Sequence, residues 1–309
     1  MKPSLCACLL LAARVSWPTP GVAATELNGF RLEPAGIAAE EILAGGPPRD
    51  GIPALDDPVH VDAADTWPDD ELVIGVSHGG AARAYPLSIL VWHELVNDTL
   101  AGLPILVSYC PLCGTGIVFD RRSPGGEAER RFGVSGLLYR SDLLMFDRES
   151  ESLWSQISAE AVTGPATGQR LRLVRSSMLP WSRWRTRHPE TTVLARETGH
   201  RRRYGSSPYD DYAESERLLF PVTLDRRYHP KMPTVGLRAA GRARAYPAVE
   251  VLKAGGAIEE SFAGHPVRVA YDGEQQVFEV DAPAAVEVIE GYWFAWAAFH
   301  PDASVAAAP

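Results

Sequence analysis

The chain is 309 residues long and 46% hydrophobic, with 30 Lys and Arg against 39 Asp and Glu, a formal charge of −9. That balance argues against nucleic acid or anionic lipid as a partner, and the local run Arg201-Arg202-Arg203 reads as a solvated face. The length suffices for one large or two ordinary domains with real cores, and four cysteines are too few for disulfides to hold the fold.

Residues 1–24 read as a secretory signal: Lys2, the apolar run Leu5 to Ala13, then Val22-Ala23-Ala24, with cleavage expected after Ala24. Loss of Lys2 and Arg14 would leave 28 basic against 39 acidic residues, a formal charge of −11. No later apolar run is long enough to span a bilayer, so the expectation is an exported protein, periplasmic or secreted, with no transmembrane segment. Residues 25–70, rich in Pro, Gly and Asp, predict an irregular N-terminal arm with little regular structure. His60 within it reads as a surface or packing residue.

Strand signals begin at Leu72 and lead into Ile105 to Arg121, ILVSYCPLCGTGIVFDR, which holds Cys110 and Cys113. Pro111 fixes the backbone after the first cysteine, and Gly114 and Gly116 permit a tight loop that turns both sulfurs to one side. The flanking β-branched and aromatic residues predict strand, knuckle, strand. A thioredoxin-type site would instead open a helix after the second cysteine, and Gly114-Thr115-Gly116 opposes one. The pattern looks like half of a rubredoxin or zinc-ribbon knuckle whose other half is missing. Covalent haem would need His where Gly114 stands, and no phosphate loop or dinucleotide fingerprint is present, so neither haem nor nucleotide is expected.

The chain also matches itself. VIGVSHGGAARAYP (Val73 to Pro86) pairs with TVGLRAAGRARAYP (Thr234 to Pro247), AGLPILVSY with AGHPVRVAY, and WSRWRTRHPE with WFAWAAFHPD. Self-similarity on this scale predicts two related units: residues 71–200 as a functional copy, 201–233 as a linker, and 234–305 as a shortened copy. Residues present in both copies, among them Trp181, Trp184 and His188 against Trp293, Trp296 and His300, read as packing on one helical face. The second copy has Lys253-Ala254-Gly255 opposite Trp92-His93-Glu94 and Asp272-Gly273-Glu274-Gln275 opposite the cysteine knuckle. His93 and the thiols are thus absent together, which makes His93 a candidate neighbour of the thiols. About fifty residues occur only in the first copy, and they include FGVSGLLYRSDLLMFDRESESLWSQ with Met145. Ser135, Tyr139, Asp142, Trp154 and Gln156 there either line a polar cleft or satisfy a crowded turn region.

With AYPLSILVWHELVND, VSYCPLCGTGIVFDR, FGVSGLLYRSDLLMFDRESESLWSQ and WSRWRTRHPETTVL on view, the chain resembles the bacterial family catalogued as domain of unknown function 3179, over about Ala84 to Leu194 and more weakly to Tyr246. The resemblance implies export and a shared site around Cys110 and Cys113, and it brings no settled activity. Thr115 stands where many relatives carry a small residue such as Ser.

Three functions compete. In the first, Cys110, Cys113 and His93, completed by Met145 or a water, bind copper or zinc, since thiolates, imidazole and thioether suit those metals. In the second, the two cysteines run thiol–disulfide chemistry with His93 as proton acceptor. In the third, Cys110 and Cys113 clip a non-catalytic scaffold. The expected fold is α+β and strand-rich, two related β units with a few short helices; the partner is an unidentified protein or small molecule, and nothing in the motifs decides whether the chain is an enzyme.

Overall fold

The computed structural model describes residues 25–63, 67–123, 126, 128–209 and 211–307, so the signal-peptide reading of residues 1–24 lies outside the described residues. Short extended pieces come first: β1 (Glu26–Leu27), β2 (Phe30–Arg31), β3 (Ile42–Ala44), β4 (Leu55–Asp56) and β5 (His60–Asp62). Next are β6 (Leu72–His78), β7 (Ala81–Pro86), α1 (Leu87–His93), β8 (Leu95–Leu100), β9 (Leu103–Cys110) and β10 (Thr115–Asp120). Then come β11 (Phe132–Tyr139), β12 (Asp142–Asp147), β13 (Leu153–Ser155), β14 (Ala161–Thr163) and β15 (Leu173–Val174), followed by β16 (Ser176–Pro180), α2 (Trp181–Arg187) and β17 (Thr192–Leu194). No named element occupies the stretch from there to β18 (Pro233–Ala239), which is followed by β19 (Arg242–Pro247), α3 (Ala248–Lys253), β20 (Ala257–Phe262) and β21 (His265–Asp272). β22 (Val277–Asp281), β23 (Glu287–Tyr292), α4 (Trp293–Phe299) and β24 (Ser304–Val305) close the chain. The result is α+β and strand-rich, as expected, with helices of only six or seven residues.

Local chemistry explains where the helices start. Pro86, Pro180 and Pro247 each end a strand in extended conformation immediately before a helix. Proline lacks the N–H that a strand ladder or a helix interior would use, so it serves as punctuation between the two.

A long mixed sheet runs in the order β24-β19-β18-β23-β10-β9-β8-β4, with β15 also on β10. A second sheet runs β16-β6-β7-β17-β5, a third β14-β13-β12-β11-β3, and a small one β20-β21-β22. The order β16-β6-β7-β17 is matched by β23-β18-β19-β24, down to the register: Pro180 faces Leu72 as Tyr292 faces Pro233, and β17 and β24 each run parallel to their neighbour. The helix after β16 and the helix after β23 each lay a tryptophan on a glycine. A Cβ at Gly75 would lie 2.2 Å from the Trp184 ring, and one at Gly236 would lie 2.0 Å from Trp296. His188 stacks on Trp184 at 4.0 Å and His300 on Trp296 at 4.1 Å. A buried tyrosine hydroxyl donates to a carboxylate in both places, Tyr85 to Asp98 and Tyr246 to Glu260. The residues common to the two stretches are therefore packing groups, and His188 has the structural role expected of it.

The N-terminal arm is more tightly sewn in than its composition suggests. β3 pairs with β11, β4 with β8 and β5 with β17, so three short pieces extend sheet edges that would otherwise carry unpaired backbone groups. His60 faces Asp98 at 3.1 Å and meets Tyr85 edge-on, a packing position.

Because neither glycine can gain a methyl without pushing an indole aside, Gly75→Ala and Gly236→Ala should each destabilise the fold by about 1–3 kcal/mol, the usual cost of overpacking. Chemical denaturation of the two variants checks this, and unchanged midpoints would refute the close-approach account.

Candidate metal site on the Cys110–Cys113 knuckle

β9 and β10 form the predicted strand–knuckle–strand, with Cys110 paired to Thr115 and the Cys113 N–H donating to the Cys110 carbonyl at 3.2 Å. Gly114 takes φ +59, and a Cβ there would meet the Tyr292 ring at 2.8 Å, so this glycine answers both a positive φ and a close approach. The end of β23 closes on the knuckle, its Tyr292 N–H bonded to the Cys113 carbonyl at 2.8 Å. No helix follows Cys113. Both cysteines are free and buried.

The third member of the cluster is Asp142. It begins β12, directly after the two-residue turn Arg140-Ser141, where both residues have positive φ (52° and 67°), the geometry of a tight hairpin turn. That turn aims the start of β12 at the knuckle: the Cys113 thiol donates to the Ser141 carbonyl at 3.3 Å, and one ligand atom each from Cys110, Cys113 and Asp142 lie within 4.8 Å of one another. Asp142 is fully buried; its Oδ2 accepts the Ile157 N–H at 3.1 Å, while Oδ1 has no hydrogen-bond partner. The Ser141 hydroxyl and Gln156 Oε1 are also buried without partners, although the Gln156 amide N–H groups reach Ser108 Oγ and the Thr115 carbonyl.

The electrostatics follow from burial. Desolvation pushes both thiols up, Cys113 further than Cys110, because the charged forms lose water. Burial raises Asp142 to about 7, and burial with Asp142 nearby raises Glu94 to about 8. Burial also lifts the phenols of Tyr209 and Tyr292, which border the thiols, each to about 12. Well below pH 7 these acids are all in their neutral forms.

The other sequence candidates fall differently. His93 ends α1 fully buried, with Nδ1 2.8 Å from the Pro53 carbonyl and Nε2 2.7 Å from the Tyr204 hydroxyl. Both ring nitrogens are engaged away from the cluster, and His93 is replaced by Asp142 as third member. Its neighbour Glu94 is the residue that turns toward the site, lining a cavity with Cys110, Pro111 and Leu112. Met145 is fully buried in the same core cluster as both cysteines, cross-strand from Val134 and Trp154. Trp154 gives its indole N–H to Asp147, and Ser135 gives its hydroxyl to the Leu144 carbonyl, so both serve the turn region and not a cleft. His229 accepts the Lys231 N–H and lies outside the cluster. The stretch read as a linker, 201–233, lies across the site and brings Tyr209, Leu219 and Phe220 to the cavity.

Asp142 was within reach of sequence reasoning as one of five residues picked out between Phe132 and Gln156, but nothing in the sequence distinguished it from the other four.

Comparison with known proteins adds a family and no activity. No curated protein and no solved structure matches the chain. A family model matches residues 49–284, most of the chain, and the protein therefore belongs to the family described as protein of unknown function (DUF3179).

Proposed function

We propose that this is an exported metal-binding protein in which Cys110, Cys113 and Asp142 hold one Zn(II). The observation that carries the reading is the cluster itself: two free buried thiols and a buried carboxyl with an unpartnered oxygen, their ligand atoms within 4.8 Å of one another. Tetrahedral zinc with bonds of about 2.0–2.3 Å needs donors about 3.5–3.8 Å apart, which small side-chain movements reach from here. A carboxylate donor favours Zn(II) over Cu(I), so the broader expectation of copper or zinc narrows to zinc. Three protein ligands leave a fourth position, the arrangement found in catalytic zinc sites.

Burial weighs against thiol–disulfide exchange. Reactive cysteines are partly exposed thiolates, whereas both sulfurs here are buried and held protonated by desolvation. A clip across so short a loop would add little stability, because little chain entropy is removed from the unfolded state. The stretch from β18 to β24 is read as a second copy of the first unit that lacks the ligands, supported by the shared register, glycine–tryptophan contacts and tyrosine–carboxylate bonds. It now presses Tyr292 against the knuckle.

Elemental mass spectrometry of protein purified without chelator should find about one equivalent of zinc, absent from Cys113→Ser and weakened at least about tenfold in affinity by Asp142→Asn. Copper in place of zinc would overturn the choice of metal, and no metal with both thiols oxidised would overturn the metal reading.

Binding should also release protons. Below the raised pKa values the ligands are protonated, so each must lose a proton to coordinate. Asp142, titrating near 7, adds to the two thiols only at lower pH. Calorimetry in buffers of different ionisation enthalpy should therefore show about three protons released per zinc at pH 6 and about two at pH 8. A release that does not fall with rising pH would remove Asp142 from the ligand set.

A further inference from the structure

We propose that the cavity beside Cys110 is a binding pocket for a neutral, apolar small molecule bearing one hydroxyl or amide group, which Glu94 receives. This deepens the zinc reading, on which the pocket's chemical purpose rests, because the bound polar group would come to lie next to the metal centre.

The cavity has a volume of about 290 Å³ and lies between the knuckle, the β11–β12 hairpin, the N-terminal arm and the stretch that crosses the site. That is near the lower end of small-molecule pockets, about 300–1,000 Å³. Its walls are Leu112, Val134, Leu137, Leu143 and Phe220, and no Lys, Arg or His lines it. An anionic ligand would find no counter-charge there and would lose its water, so a neutral one is selected.

Glu94 is the exception among these walls. It is only 8% exposed, and among the described residues no hydrogen bond or ion pair engages its carboxyl. A carboxyl open to an otherwise apolar cavity is met there by water or by the polar group of a ligand. Its backbone makes the same point. Glu94 has φ 58°, donates its N–H to the Leu90 carbonyl and accepts from the Tyr109 N–H. In the second unit the residue that accepts from the corresponding Tyr271 N–H is Gly256, at φ 93°, which donates to the Val251 carbonyl. The turn is made for glycine, yet the first unit keeps a glutamate in it at a conformational cost. A carboxyl placed there, facing a cavity, is placed for a ligand.

The test uses 1-N-phenylnaphthylamine, a neutral apolar fluorophore, with the full chain, and metal content is measured on the same samples. Fluorescence should rise on binding and be displaced by decan-1-ol, with decanoate at least about tenfold weaker at pH 8. No rise, or decanoate displacing as well as the alcohol, would overturn the pocket. Leu219 lies at the mouth and is 41% exposed, so Leu219→Asp should weaken the probe without unfolding the chain. Glu94→Leu should weaken decan-1-ol about fivefold, and Glu94→Gln, which still hydrogen-bonds, should not. Equal affinity in the parent and Glu94→Leu would remove Glu94 from the proposal. Probe binding absent at one equivalent of zinc sinks the pocket and leaves the metal centre. Probe binding with no metal upholds the pocket and sinks the centre beside it.

Discussion

The constraint on which the site depends is the desolvation of three acids in one buried cluster. Two thiols and a carboxyl, ligand atoms within 4.8 Å, cannot all ionise in a space that excludes water, and nothing cationic lies among them. Burial therefore raises all three pKa values. A divalent cation reverses the balance, because it supplies the missing charge where water cannot. The same burial makes these thiols poor nucleophiles.

Holding the cluster takes three parts of the fold that are distant in sequence. The β9–β10 hairpin supplies the sulfurs, the β11–β12 hairpin supplies Asp142 and the Ser141 carbonyl, and the end of β23 caps the knuckle through Tyr292. β23 also bonds to β10 at Gly116, opposite Glu290, so the long sheet is continuous from β18 and β23 into β10 and β9. The C-terminal strands thus shape the knuckle from outside. A Cβ at Gly291 would lie 2.4 Å from the Thr115 hydroxyl and 3.1 Å from the Cys113 carbonyl, which shows how closely the two are fitted.

What was legible in the sequence was local or repeated. The knuckle followed from Pro111 and Gly114, and the packing role of Trp184 and His188 followed from their second appearance as Trp296 and His300. The third member of the cluster was not legible, because Asp142 reaches Cys113 only through pairing of β11 with β12 and the docking of that sheet on the knuckle. The reading of His93 went astray for a specific reason. Lys253-Ala254-Gly255 and the cysteine-free stretch after Tyr271 lack His93 and the thiols alike, but the His93 ring bonds the Pro53 carbonyl and the Tyr204 hydroxyl, away from the knuckle.

Backbone geometry relates the turn at Glu94 to the turn at Gly256 more closely than residue identity does. Aligning by sequence sets Gly255 opposite Glu94; aligning by hydrogen bonds sets Gly256 there, since Tyr109 and Tyr271 donate to corresponding carbonyls. Only the second alignment exposes that a glutamate occupies a left-handed position that its counterpart gives to glycine. Packing alone would favour glycine at such a turn, so a carboxyl facing a cavity there points to a demand other than stability. Glu94 and Cys110 flank one cavity, whereas Gly256 leaves the corresponding turn beside Tyr271 without a carboxyl.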